Sequence, residues 1–157
     1  MIVMNERILT YWQEFQASLL PDSVYLGREF VAEGWGDDPT MAEELGALIA
    51  SGVKTATCSS VWEWGADGQT WPSPGFLTIV LDGRDEPLCI VETVEITVKP
   101  YNEVDASMAY DEGEGDRTLD YWRAAHRIFF TRVLAKIDRQ FVEDMPLVCE
   151  RFKRIYP

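Results

Sequence analysis

The residues best suited to chemistry lie at positions 52–57, in the run Gly-Val-Lys-Thr-Ala-Thr, where a predicted helix gives way to a predicted strand. A lysine that leaves water beside apolar walls has a lowered pKa, which would let Lys54 act as a base. A threonine hydroxyl beside such a base can become a nucleophile, the role open to Thr57. The two side chains alternate across a regular strand, so a twist or bulge would have to bring them together. The alternative is a surface lysine beside β-forming threonines.

Carboxylates that could complete such a site occur in two places. Glu92 lies on the otherwise apolar face of a predicted strand at 88–98, and a buried carboxylate is costly unless it is paired or used. It is therefore either functional or the structural partner of a basic residue. Glu112 and Glu114 lie in the acidic, glycine-rich segment 110–116, whose glycines would let one carboxylate enter a pocket at the start of the next helix. The alternative is a solvated loop, and the segment lacks the ligand pattern of a calcium loop.

The histidine, cysteine and tryptophan residues limit the chemistry further. His126 is the only histidine and lies within the apolar arc of a predicted helix, which predicts a packed core residue and excludes a site with several histidines. The three cysteines are far apart, so we expect no disulfide, no structural metal and no other cofactor. Trp62 and Trp64 alternate with Glu63 and are predicted to share one strand face, where Trp62 would either stack on a nucleobase or pack in the core.

The pattern along the chain predicts the elements that carry these residues. An apolar stripe predicts a first helix at about 5–19, ended by Pro21. Thr40 and Glu43 form a capping-box pattern that predicts a second helix ending at Gly52. A third helix is predicted at 118–137 and strands at 54–61, 76–81, 88–98 and 148–156. This order predicts an α+β fold with a compact sheet of mostly antiparallel strands that can close into a barrel.

The composition of the chain limits the classes of partner that it can bind. The chain has 157 residues, with 14 basic and 27 acidic side chains and a net charge of −13. Its length favours one domain. It has no apolar run near the ~18 residues that span a bilayer, and its start lacks the features of a signal peptide. We therefore expect a cytoplasmic protein without a membrane partner. Residues 1–116 carry a net charge of −17 and residues 117–157 a net charge of +4. This distribution argues against DNA or long nucleic acid and leaves open either a solvated helix or one local phosphate-facing surface.

Together these residues resemble the ASCH domain, a branch of the PUA-like superfamily, and specifically its bacterial single-domain members. The resemblance runs in order over most of the chain. It rests on segments 42–45, 48–57, 62–63, 74–75, 89–93, 98–104, 112–116, 119–123 and 145–152. It implies an α+β fold, a small mixed PUA-like β-barrel with flanking helices, in a single domain of residues 1–157 with an N-terminal helical extension at about 1–20.

The resemblance also implies a function. Families of this kind are often RNA-binding, some small bacterial relatives remove the acyl group of N4-acetylcytidine with a Lys, a Thr and a Glu, and others are ribonucleases. The Lys-x-x-Thr pattern gives the first two roles to Lys54 and Thr57. The third falls on Glu114, with Glu112 and Glu92 as competitors.

The leading hypothesis is therefore an amidohydrolase acting on N4-acylated cytidine or a related modified nucleoside. Lys54 would be the base, Thr57 the nucleophile, and Glu114 the residue that handles the proton given to the leaving amine. The side chains expected to contact substrate are Trp62, Glu92, Glu112, Arg123 and Arg127. The alternatives are a non-catalytic module that binds short RNA, with the two arginines on phosphates, or a ribonuclease that uses the same cleft. The oligomeric state is left open.

Overall fold

The computed structural model describes residues 2–157 and has α+β architecture, as the sequence predicts. The helices are α1 (Glu6–Ser18), α2 (Pro39–Ala50), α3 (Val61–Ala66), α4 (Ala106–Glu112) and α5 (Leu119–Ala135), with a 3-10 helix at Tyr101–Glu103. The strands are β1 (Val31–Glu33), β2 (Ala56–Ser60), β3 (Leu77–Leu81), β4 (Pro87–Pro100) and β5 (Pro146–Tyr156). Their order in the sheet is β1-β3-β4-β5-β2. The β1–β3 pair is parallel, whereas β3–β4 and β2–β5 are antiparallel.

Contacts divide the chain into two compact units. The first comprises the residues up to Gly52, Gly75–Glu92 and Lys153–Pro157. Its core is formed where α1 places Ile8 and Phe15 against Ile79, Leu81 and Ile90. The periodicity that predicted α1 is thus confirmed, because the apolar stripe is the face that this helix buries.

The N-terminus of α2 differs from the predicted capping box. The Asp38 side chain, rather than that of Thr40, accepts the hydrogen bond from the Met41 amide, and Pro39 occupies the first helical turn. Glu43 instead accepts a hydrogen bond from the Gly83 amide at 3.0 Å. Asp-Pro is itself a strong helix start, because proline needs no amide partner in the first turn. The predicted end at Gly52 is confirmed, with φ of +83°.

The second unit comprises Val53–Pro74 and Thr93–Phe152. Its core is centred on α5, which buries Trp122, Phe130 and Leu134. Thr118 caps this helix, so the predicted helix at 118–137 is confirmed to within two residues at its end. In the antiparallel β2–β5 pair, Thr57 lies opposite Glu150 and Cys58 lies opposite Cys149.

The predicted strand at 54–61 is wrong at its end, where α3 begins. The Ser60 hydroxyl accepts a hydrogen bond from the Trp62 amide at 3.2 Å and caps this short helix. Trp62 and Trp64 therefore do not share a strand face, because residues two apart on a helix point in roughly opposite directions. Trp62 packs against the core of the second unit, while the Trp64 indole donates a hydrogen bond to Ser59. Helix α4 and strand β1 were not predicted.

In the part of the chain from residue 2 to residue 157, the helices are too short or too polar to cross a membrane.

Candidate active site

Lys54 is the centre of a buried charged cluster in the second unit. Its side chain is only 1% exposed. The Nζ atom lies 3.2 Å from Oε2 of Glu114 and 3.5 Å from Oε2 of Glu112, and it donates a hydrogen bond to the Glu112 carbonyl at 3.4 Å. The structure thus brings together Lys54 and both carboxylates of the acidic segment.

The backbone around Gly113 explains how the acidic segment reaches Lys54. Helix α4 ends at Gly113, which has a left-handed φ of +73°. A Cβ atom there would lie 2.7 Å from the Val53 carbonyl oxygen, so glycine permits both the turn and the close approach. The Thr55 amide donates to the Asp111 carbonyl at 2.8 Å and ties the two segments together. The acidic run is therefore a packed turn that delivers Glu112 and Glu114 on either side of Gly113.

Glu112 is the fixed anion of the cluster. Its side chain is 1% exposed, and Oε2 lies 3.0 Å from Nε2 of His126 as well as near Lys54. Burial alone would raise the pKa of Glu112, but the charges of Lys54 and His126 outweigh it and hold the pKa well below its ordinary value.

Glu114 behaves in the opposite way. Burial raises the pKa of Glu114, and the neighbouring charge of Glu112 raises it further, against the opposing effect of Lys54. Its side chain is 26% exposed, so this carboxyl is the one that solvent or a ligand can reach. The two neighbouring carboxyls thus have pKa values displaced in opposite directions.

The predicted lowering of the Lys54 pKa is wrong for this structure. Burial alone would lower it, but the carboxylates of Glu112 and Glu114 reverse the effect and hold the pKa of the ammonium above its ordinary value. The sequence argument assumed apolar walls, whereas the fold supplies two anions. Lys54 is thus a permanent cation in this arrangement.

Thr57 is oriented away from this cluster. Cys58, the next residue of β2, donates from Sγ to Sγ of Cys149 at 3.5 Å, and burial and the nearby charge of Glu112 raise the pKa of its thiol, which places Cys58 on the face of the cluster. Alternation along β2 turns Thr57 to the other face, beside Glu150 in the paired strand. Between the side chains of Thr57 and Lys54, the structure of residues 2–157 contains no hydrogen bond.

Glu92 forms a separate pair in the first unit. It accepts a hydrogen bond from the Tyr25 hydroxyl at 2.9 Å and lies 3.3 Å from Nζ of Lys153. The strand face that was predicted to be apolar is exposed to solvent beyond Glu92, since Val94 and Val98 are each 50% exposed. This environment matches the structural interpretation of Glu92 as the partner of a basic residue.

Arg123 and Arg127 both have protein partners. Arg123 donates to the carbonyls of Tyr101, Asn102 and Val104. Arg127 pairs with Glu143. Both arginines line a surface groove of about 610 Å³ that also includes Asp120 and Glu143, so acidic groups balance their charge. Trp62 has the Arg139 guanidinium 4.5 Å from its ring centroid.

His126 is the residue that sequence reasoning underestimated. It is buried and stacked on Trp122, as a core histidine should be, with ring centroids 4.1 Å apart. However, its two ring nitrogens contact Glu112 and the Trp122 carbonyl. A buried imidazole requires polar partners, and the acidic segment directly precedes its helix in sequence. Those two facts were the available signal.

Three side chains of the cluster have the donor types of a metal site. Ligand atoms of Glu112, Glu114 and His126 lie within 4.8 Å of one another. The Lys54 ammonium is already within 3.5 Å of both carboxylates and balances their charge. We therefore assign no metal to this group.

Comparison with known proteins agrees with this fold. An ASCH domain structure from Lactobacillus crispatus JV V101 is 32% identical, with a TM-score of 0.88 over 98% of this chain and 97% of that chain. Protein EF3133 from Enterococcus faecalis V583 is 36% identical, with a TM-score of 0.82 over 98% of this chain and 90% of that chain. No protein of curated function matches the sequence.

The fold and the cluster define a small α+β protein of PUA-like architecture with a buried lysine–carboxylate site. Residues 31–156 match the ASCH domain, and the chain belongs to the ASCH domain family. That family is linked to RNA binding.

Proposed function

We propose that this ASCH domain protein is an amidohydrolase that acts on N4-acylated cytidine or a related modified nucleoside. The observation that carries the proposal is the contact of Lys54 with Glu114 at 3.2 Å, at the partly exposed edge of a buried cluster. Environments that separate the pKa values of neighbouring titratable groups are characteristic of acid–base catalysis.

The proposed roles follow from the charge states. Glu114 accepts the proton of the attacking hydroxyl as its oxygen bonds to the acyl carbon, and then protonates N4 as the carbon–N4 bond breaks. The Lys54 ammonium stabilises the negative charge that develops on the acyl oxygen. Because the pKa of Lys54 is raised, its ammonium stays protonated and cannot act as the base, so we assign the role of base to Glu114. Water then hydrolyses the acyl ester, releasing the carboxylic acid and restoring the hydroxyl.

Thr57 is proposed as the nucleophile on the basis of the Lys-x-x-Thr pattern. Its support is the sequence motif and the family resemblance; in this structure Thr57 faces away from the cluster and lies opposite Glu150, so attack by Thr57 would require its hydroxyl to move toward Glu114. If Thr57 attacks, the acyl group is transiently attached to its hydroxyl oxygen. If water attacks directly under Glu114, the same products form without an acylated protein. The two routes are therefore separated by looking for the covalent intermediate.

The test is a panel of N4-acylated cytidines incubated with the purified chain and with Lys54→Met. We expect wild type to release cytidine and the carboxylic acid, and Lys54→Met to be slower by ~10²–10³-fold, the typical effect of losing one preorganised charge partner. Lys153→Met is the matched control, because that lysine also pairs with a glutamate but is 59% exposed. Full activity in Lys54→Met, or an inert wild type, would overturn the proposal.

The same preparations test the alternative functions. A chain that hydrolyses no nucleoside but binds short RNA with steep salt dependence would be a non-catalytic RNA-binding module. Cleavage of labelled RNA would identify a ribonuclease. The net charge of +4 over residues 117–157 is the feature that favours these alternatives, although Arg123 and Arg127 already contact protein acceptors.

A further inference from the structure

Both ring nitrogens of His126 face hydrogen-bond acceptors. Nδ1 lies 3.0 Å from the Trp122 carbonyl oxygen, and Nε2 lies 3.0 Å from Oε2 of Glu112. A carbonyl oxygen only accepts, so Nδ1 must carry a proton. Nε2 lies at ion-pair distance from Glu112, and the negative charge of this carboxylate favours a second proton on the ring. We infer from these two contacts that His126 is a doubly protonated imidazolium.

The surroundings keep this ring in place. His126 is buried and stacked on Trp122, with an interplanar angle of 16°. The charged and titratable groups around the cluster are Lys54, Cys58, Glu112 and Glu114. Burial would lower the pKa of His126 and Lys54 opposes the charged form, but Glu112 and Glu114 outweigh both and raise the pKa.

Lys54 and His126 approach the same oxygen of Glu112, at 3.5 Å and 3.0 Å. With two cations on one carboxylate, that carboxylate stays ionised while its neighbour remains free to exchange a proton. We propose that His126 is a positioning residue: its imidazolium fixes Glu112 as the permanent anion, so that Glu114 is the carboxyl that exchanges protons with the substrate. The catalytic part of this inference rests on the proposed amidohydrolase function, whereas the charge state of His126 does not.

The charge state can be measured directly, because His126 is the only histidine in the chain. An NMR titration of protein labelled with ¹⁵N-histidine should give this ring a pKa above the ordinary histidine value of ~6.5. In Glu112→Gln the anion is lost and burial dominates, so the same ring should titrate at or below ~6.5. Glu143→Gln, which removes an exposed carboxylate paired with Arg127, is the control and should leave the titration unchanged. A pKa of the wild-type ring at or below the ordinary histidine value would overturn the inference.

The positioning role is tested by the pH profile of nucleoside hydrolysis in His126→Gln. Removing a cation beside the carboxyl pair should shift the limb assigned to Glu114 to higher pH and lower kcat, with KM little changed. An unchanged profile with only a lower melting temperature would reduce His126 to a structural residue. A wild type without hydrolysis overturns the proposed function and the catalytic part of this inference, while the NMR titration still decides the charge state. If His126→Gln does not fold, the NMR titrations of wild type and Glu112→Gln still determine the charge state of His126.

Discussion

The substitution Lys54→Met removes the ammonium from the buried cluster while keeping a long, mostly apolar side chain. Lys54 is within 3.5 Å of both Glu112 and Glu114 and is 1% exposed. Glu112 is then left buried, with His126 as its remaining cation. Removing one partner of a buried ion pair costs about 3–5 kcal/mol, because the charge that is left is only partly compensated. For a chain of this length, that loss lowers the melting temperature by about 6–20 °C.

The loss should also depend on pH. The folded pKa of Lys54 is raised, so its stabilisation is present at every pH below the unfolded value of ~10.4 and is lost only as the pH rises through the folded value. The folded pKa of Glu112 is lowered, so its stabilisation is present above the unfolded value of ~4.3 and is lost as the pH falls through the folded value. Without Lys54 the pKa of Glu112 rises, so the carboxylate takes up a proton at a higher pH than in wild type. The destabilisation should therefore be larger at pH 8 than at pH 5.

Guanidinium unfolding followed by tryptophan fluorescence at these two pH values measures the difference. Lys153→Met is the control, because this lysine is 59% exposed and solvent-exposed ammonium groups contribute less than ~1 kcal/mol to ion pairs. We expect the two variants to differ by several kcal/mol at pH 8. A loss below ~1 kcal/mol in Lys54→Met, or the same loss at both pH values, would refute the electrostatic account of the cluster.

Three further results are expected. If Thr57 is the nucleophile, Thr57→Val stops turnover and Thr57→Ser retains part of it. Mass spectrometry during turnover should then find one acyl group on the wild-type chain. Normal turnover by Thr57→Val would remove Thr57 from the mechanism. Arg123→Ala should lower the unfolding free energy by about 1.5–3 kcal/mol, since its guanidinium donates to three backbone carbonyls, whereas Arg127→Ala should lower it by less than ~1 kcal/mol; equal effects in denaturant titrations would contradict these contacts. The buried thiols of Cys58 and Cys149 should react with a thiol reagent at least ~100-fold more slowly than in the unfolded chain, an opening free energy of about 2.7 kcal/mol; rapid native labelling would show that they are accessible.

The long elements were predictable because each has a strong periodic signal of its own. Helix α1 buries Ile8 and Phe15 at the predicted spacing, and α5 buries Trp122 and Phe130 in the same way. Short helices and strands have too few residues to show such a periodic signal. The segment that forms α3 has strand-prone residues, and one hydrogen bond from the Trp62 amide to the Ser60 hydroxyl marks its helical start.

Only part of the buried cluster could be predicted, and its charge states could not. The family resemblance proposed Lys54 with Glu114, which lie 3.2 Å apart, whereas the other proposed partners, Thr57 and Glu92, lie outside the cluster. The sign of the Lys54 pKa shift depends on how many carboxylates lie within a few ångströms, and that number is set by tertiary contacts. The same holds for His126, whose partner Glu112 comes from a different helix.

The most direct test of the central claim is the hydrolysis of N4-acetylcytidine by wild type and by Glu114→Gln, with Glu143→Gln as the control for an exposed glutamate. The substitution keeps the shape of the side chain and removes its ability to exchange a proton. We predict that wild type releases cytidine and that kcat/KM falls by ~10²–10⁴-fold in Glu114→Gln while the fold is retained, the range expected for the loss of a general acid–base. Equal turnover by Glu114→Gln and wild type would contradict the assignment of Glu114 as the proton-transferring residue.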